Sequence, residues 1–402
     1  MESVKNKRLN IYLIMVLFVF ATVQFLVIVY YGENWYLGNF ATMNNDDVKY
    51  IRSAWTLLDK HIFVYHDVNE PTAFIMPGYP LLIAFFMKVF GRVDGIIAIR
   101  FFQGLLQVAS LYLVFRICKE MFNNKIALIA VILNTLYLPE MVSAVLILTE
   151  TVFKFLLVAL VYVSIKAIKN KNISYYFVGG IIWGLAILIR PTILLYPIVI
   201  FIMWIVFKYS IKEMIVRSLL VLCIGITLLS PWVIRNFIEF SRFIPLTLSS
   251  GNPFLQGTYI NYDQTEDYTS YEFPSDAIER DKIEMDTGIK RLKQNFIKKP
   301  FSYIYWYTVG KSYYFWNVPF YYKNVFGIPF FIMHIFHIIL IVFALGNLIL
   351  FRADFKKETL LLLLIILYFN IMHLPYFTCS RYAYPIMPFV IIFASNAFIN
   401  IL

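Results

Sequence analysis

Asp46 and Asp47 stand side by side in Asn44-Asn45-Asp46-Asp47-Val48-Lys49-Tyr50, about fifteen residues after an apolar run that closes at Tyr31. A carboxylate facing a cavity at a membrane edge can take a proton from an acceptor hydroxyl, which is general-base chemistry. A helix capped by the asparagines puts Asp46, Tyr50 and Ser53 on one side. The same acids could also serve only as first-turn partners of the helix dipole. Glu150, in Leu148-Thr149-Glu150-Thr151-Val152-Phe153, falls about two turns inside an apolar run over 142–165. An acid at that depth costs ~2.5–3.5 kcal/mol on insertion scales and needs a partner or water. Lys154, four residues on, offers an ion pair along the helix.

The elements that must position these acids follow from composition. Of 402 residues, 60% are apolar and 15% charged, against about 25% charged in soluble domains. A single soluble core stops growing near ~250–300 residues, so so much apolar surface cannot be hidden in water. Disorder, a coiled coil and a disulfide scaffold are excluded, and an all-α polytopic membrane protein remains. Cys118, Cys223 and Cys379 lie far apart and suit packing. The 29 tyrosines and 39 phenylalanines fit many membrane interfaces.

The spacing predicts about ten transmembrane helices, over 9–31, 95–116, 126–138, 142–165, 174–189, 191–207, 213–231, 327–351, 358–376 and 382–402. They form one integral-membrane domain over 1–402. The first is read as a retained span, because no small-residue cleavage site follows it. The net charge of +11 sits in clusters between apolar runs, which writes topology rather than nucleic-acid binding. Alternate loops hold Lys5/Lys7/Arg8, Arg116/Lys119/Lys125, Lys166/Lys169/Lys171, Lys208/Lys212/Arg217 and Arg352/Lys356/Lys357. Positive-inside bias puts both termini in the cytoplasm of a multi-pass cell-membrane protein.

Two loop segments then face outward, 32–94 with interfacial helices and 232–326. The second carries an acidic stretch from Asp263 to Asp286, a basic one from Lys290 to Lys299, and an expected interfacial aromatic belt from Tyr303 to Trp316. Arg190, Arg235 and Arg381 border spans on this same outward side. Each could anchor a helix end by snorkelling. Three together point to a phosphate, which guanidinium forks bind through two parallel hydrogen bonds. His61, His66, His334, His337 and His373 form no metal-ligand pair, and no nucleotide or Ser-His-Asp motif is present.

These residues fall in short motifs whose order resembles the GT-C superfamily of integral-membrane glycosyltransferases. The resemblance is to the dolichyl-phosphate-mannose protein mannosyltransferases and the aminoarabinose lipid A transferase group. Asp46-Asp47-x-x-Tyr50 resembles that family's acidic pair in the first outer loop. Pro77-Gly78-Tyr79-Pro80-Leu81-Leu82, Thr149-Glu150-Thr151-Val152-Phe153 and Arg190-Pro191-Thr192 have counterparts in the same order, as do Pro231-Trp232-x-x-Arg235-Asn236 and Arg381-Tyr382-x-x-Pro385. The sequence departs in carrying Asp-Asp where many members have Asp-Glu, and Met76 where many carry Arg or Lys. It also reaches only one span past Arg381-Tyr382, without the C-terminal domain of larger members.

The resemblance implies an inverting transfer from a polyprenyl-phosphate-linked sugar donor to a hydroxyl on a glycan, lipid or protein acceptor. It implies Asp46 as base, with Asp47 and Glu150 orienting acceptor or sugar. Arg235, Arg190 and Arg381 would contact the donor phosphate, and Tyr50 and Tyr79 would shape the cavity. No cofactor is indicated, and no residue separates one acceptor class from another; a divalent metal remains open. The competing function is a transporter or flippase of lipid-linked saccharides, which should carry polar residues deep in several spans and repeated or broken helices.

Overall fold

Where no water reaches the backbone, only helices and well-partnered breaks can form, and all the regular structure among the described residues is helical. The chain is seen in a computed structural model that describes residues 2–264, 271, 273–274, 276–351 and 355–401, with side chains from residue 8 onward. The side chains of Lys5 and Lys7, Arg352, and residues 265–270 of the acidic stretch lie outside the described residues.

The first helix, α1 (Glu2–Tyr31), is an apolar span, and two helices follow it in the first loop segment, α2 (Asp46–Lys60) and α3 (Gly78–Phe90). Then come α4 (Arg92–Met121), α5 (Asn124–Leu136), α6 (Pro139–Val145), α7 (Glu150–Asn170), α8 (Ile173–Ile189), α9 (Tyr196–Val206) and α10 (Ile211–Phe240). The second loop segment holds α11 (Gly251–Gly257), α12 (Ala277–Lys298), α13 (Pro300–Tyr305) and α14 (Lys311–Trp316). The chain returns through α15 (Phe330–Leu350), α16 (Thr359–His373) and α17 (Met387–Ile401).

Six helical segments are long and apolar enough to cross a membrane, and a seventh is if α5 and α6 count as one span bent by 57°. The other three expected spans are apolar but shorter: α8, α9 with its 3₁₀ lead-in, and α16. This is a multi-pass membrane protein.

Two expected boundaries move. The run over 142–165 is not one helix: α6 ends at Val145 and α7 begins at Glu150. The break covers residues 146–149, with Leu146 in extended geometry. The carbonyls this frees are bonded by a polar stripe on α4. Arg100 Nε donates to Val145 O (2.8 Å) and Gln103 Nε2 to Ala144 O and Leu146 O (2.9 and 3.0 Å), while Gln107 Nε2 reaches Glu140 O at the start of α6 (2.7 Å). Without such donors a break inside the bundle would leave unsatisfied backbone at several kcal/mol per group. The run over 213–231 continues instead through Pro231 to Phe240, so Arg235 lies on α10 rather than in a loop.

The expected aromatic belt is also half-absorbed by packing. Trp306 Nε1 donates to Gly257 O and the Tyr303 hydroxyl to Thr258 O, both side chains being buried, whereas Tyr305 and Tyr313 remain exposed. Four of the five basic loops meet at one end of the bundle. Glu120 pairs with Lys166 and Lys169, Lys356 donates to Glu120 O (2.9 Å), and Arg217 donates to Lys171 O (2.8 Å).

Candidate active site

At the opposite end, four helix termini bring charged side chains together. Asp46 opens α2, where Asn45 caps the helix by accepting from Asp46 N–H (2.8 Å). Asp46 Oδ2 accepts from Arg381 Nη1 at 2.7 Å, and Oδ1 accepts from the Tyr65 hydroxyl at 2.5 Å. Arg381 sits in a 3₁₀ turn over Ser380–Tyr382 just before α17, and its Nε donates to Glu150 Oε1. Glu150 is the first residue of α7, where the helix dipole favours an anion. Its Oε1 also accepts from Arg190, whose Nε donates to Thr149 Oγ1 at 2.7 Å. Arg190 ends α8 in extended geometry because Pro191 follows.

Asp46, Arg381, Glu150 and Arg190 therefore form one unbroken chain of ion pairs. The cluster grades from dry to wet, with the Glu150 side chain fully buried and that of Asp46 37% exposed. Burial pushes the Asp46 carboxyl up, but Arg381, the Tyr65 hydroxyl and Lys49 outweigh it and hold it below the usual aspartate range. The expected ion pair between Glu150 and Lys154 does not form: at the helix start Glu150 turns to the arginines, and Lys154 pairs with Glu140.

Among the described residues, the other expected site residues make no hydrogen bond or ion pair to this cluster. Asp47 is fully buried and spends its oxygens on the backbone, accepting from Leu37 N–H (2.6 Å), Gly38 N–H (3.1 Å) and its neighbour Val48 N–H (2.9 Å). It pins the loop before α2 and does not meet the cluster. We expect Asp47→Ala to cost about 1–3 kcal/mol, as a buried pair of amides loses its acceptor; a chemical or thermal melt in detergent measures it. Tyr50 is buried on α2 with its ring edge-on to Tyr79 (5.3 Å between centroids). Tyr79 donates to Gln103 Oε1 at 2.7 Å, which ties it to α4 rather than to the cluster. Its neighbour Gly78 lets α3 touch the end of α8, since a Cβ there would lie 2.6 Å from Leu188 O.

Arg235 is also apart. Its Nη1 donates to Thr72 O (2.7 Å), and it lies over the rings of Phe63, Trp232 and Phe240. It borders a cavity of about 530 Å³ between α2, α3, α8 and α10, whose walls include Leu57, Phe63, Leu81, Leu188 and Trp232. Tyr65 went unread in the sequence, where nothing but an aromatic in the first outer segment marks it. Among the described residues, no group of three or more His, Cys, Asp or Glu could hold a metal ion.

Comparison with solved structures supplies the fold. The chain superposes on the archaeal oligosaccharyltransferase AglB from Archaeoglobus fulgidus, in complex with an inhibitory peptide and a dolichol-phosphate. The TM-score is 0.56 at 12% identity, over 97% of this chain and 50% of that one. The apo form of the Archaeoglobus fulgidus oligosaccharyltransferase gives 0.54 at 12%, over 96% and 50%. The chain has a GT-C fold. It spans about half the length of the oligosaccharyltransferase it matches. ArnT from Cupriavidus metallidurans bound to undecaprenyl phosphate also aligns, at 12% identity over 96% of this chain and 77% of that one, with a TM-score of 0.46. Residues 70–234 match the family described as dolichyl-phosphate-mannose-protein mannosyltransferase. No curated protein sequence matches the chain. Within this GT-C fold, the ion-pair chain lies where the first loop segment, the starts of α7 and α17 and the end of α8 converge.

Proposed function

We propose that the chain is an inverting glycosyltransferase that moves a sugar from a polyprenyl-phosphate donor to an acceptor hydroxyl at the outer face of the membrane. The observation that carries this reading is the Asp46–Arg381–Glu150–Arg190 chain, in which acids and guanidinium groups from distant parts of the sequence meet at one end of the helix bundle. The family description matched by residues 70–234 and the GT-C fold shared with an oligosaccharyltransferase support it. Clustering of the basic loops at the other end of the bundle supports the sidedness, by the positive-inside rule.

In this reaction the acceptor oxygen attacks the anomeric carbon while its proton passes to the Asp46 carboxylate. The bond from that carbon to the phosphate oxygen breaks, and its electron pair leaves with the polyprenyl phosphate. Arg381 and Arg190 meet the charge that grows on the leaving group, the term that preorganised cations supply best. A single displacement inverts the anomeric centre. The cavity beside Arg235 has apolar walls suited to an isoprenoid stem, and Arg235 makes no ion pair among the described residues. Glu239 shares that cavity.

The direct test supplies radiolabelled polyprenyl-phosphate sugars to purified protein in proteoliposomes. Release of the sugar from its lipid onto a hydroxyl acceptor is expected. Movement of intact lipid-linked sugar between leaflets, with the glycosidic bond kept, would replace this reading with a flippase. Arg235→Met should raise the donor KM about tenfold with kcat little changed, because a charge-assisted contact present in ground and transition states alike is lost. Initial-rate kinetics at varied donor measure it.

A further inference from the structure

One turn along α7 from Glu150, the Lys154 side chain is wholly buried at a depth where a cation needs a partner. Its ammonium donates to the Glu140 carboxylate on α6 and to Gln107 Oε1 on α4. Gln107 Nε2 in turn donates to Ser143 Oγ (2.8 Å) and to the Tyr384 hydroxyl (2.9 Å). That hydroxyl meets Ser143 Oγ at 2.6 Å and donates to Glu140 Oε2 at 3.4 Å, while the Lys154 ammonium lies 5.5 Å from the centre of the Tyr384 ring. The transfer step uses none of these groups.

Their places in the chain give the network a role. Lys154 follows Glu150 by four residues on one helix, and Tyr384 follows Arg381 by three in consecutive 3₁₀ turns. The network thus joins, one layer beneath, the two segments whose tips carry the Glu150–Arg381 ion pair. Glu140 adds the broken segment that leads into Glu150. We propose that Lys154, Glu140 and Tyr384 form a positioning latch that holds Glu150 and Arg381 at the separation transfer requires. The proposal rests on the glycosyltransferase reading. Stability alone does not call for two charges here, since a buried ion pair is often replaced by neutral side chains at no cost to folding. What the charges add is direction. The ammonium has to reach α4 and α6 together, and both carbonyl and carboxylate of Glu140 are held by Gln107 and Lys154.

The test uses the full chain carrying Glu140→Gln with Lys154→Met, and separately Tyr384→Phe. The double variant leaves no uncompensated charge and should melt close to wild type. Its donor KM should stay within twofold, while kcat falls about 100-fold, as expected when reacting groups shift by ~1 Å. Tyr384→Phe, which removes one hydroxyl, should lower kcat in the same direction by about tenfold. Amide hydrogen exchange should rise together in peptides covering 146–152 and 379–384 in both variants. Wild-type kcat with wild-type exchange at those two segments would overturn the latch, and should the double variant fail to fold, Tyr384→Phe decides. If the wild-type protein transfers no sugar from any polyprenyl phosphate, the functional reading falls, and the exchange measurement alone judges the latch.

Discussion

Replacing Arg381 by methionine should lower the transfer rate by about 10²–10³-fold, the usual effect of removing one preorganised group that stabilises transition-state charge. The side chain is the link in the ion-pair chain, because one nitrogen serves Glu150 and another serves Asp46. Its loss parts the acid on α2 from the acid on α7 and removes the nearest cation from the leaving phosphate. Folding should survive, since Glu150 keeps Arg190 as a partner and Asp46 is partly exposed. Arg381→Lys should recover little of the rate. An ammonium is a point donor on a flexible stem and cannot hold two carboxylates from separate helices as a planar guanidinium does. Rates with radiolabelled donor, set beside a melting curve for each variant, separate this outcome from unfolding. A lysine variant as fast as wild type would mean that charge alone, without the fork, does the work.

The sequence made the polar cluster legible as neighbours, because acids and arginines at span ends of one sidedness have few other places to go. It did not show who pairs with whom. Glu150 read as an acid inside a helix because 142–165 is apolar throughout, yet the α6–α7 break depends on Arg100 and Gln103, some forty residues away. Arg235 read as a span-end residue because a proline usually stops a helix. In α10 the Thr227 carbonyl that Pro231 leaves without its helical donor accepts from the Ser230 hydroxyl (2.9 Å), and the helix carries Arg235 into a separate groove. Asp47 sits beside Asp46 in the chain and Tyr79 falls in a motif of its own, but their neighbours in space, the amides of Leu37 and Gly38 and the side chain of Gln103, are fixed by tertiary packing.

Asp46→Asn should be the most damaging single change, lowering turnover by about 10²–10⁴-fold, the range general-base catalysis supplies. The amide keeps the size of the side chain and its acceptor for Tyr65, so the variant should fold and bind donor. The acid limb of the pH profile gives a finer test. With its pKa held down, mainly by Arg381, Asp46 stays ionised through the whole neutral range. The limb in kcat/KM, which reports the free enzyme, should fall below the usual aspartate value of about 3.9. A base held so low is weak, and both of its oxygens are engaged before substrate arrives. When the donor phosphate draws on Arg381, the guanidinium shares its charge and its hold on Asp46 loosens, so the carboxylate becomes more basic. The sign follows: the acid limb in kcat, which reports the bound enzyme, should lie at higher pH than the limb in kcat/KM. Tyr65→Phe removes a hydrogen bond to the ionised form and should move both limbs upward. If the two limbs coincide in wild type and neither moves with Tyr65→Phe, Asp46 does not take the proton.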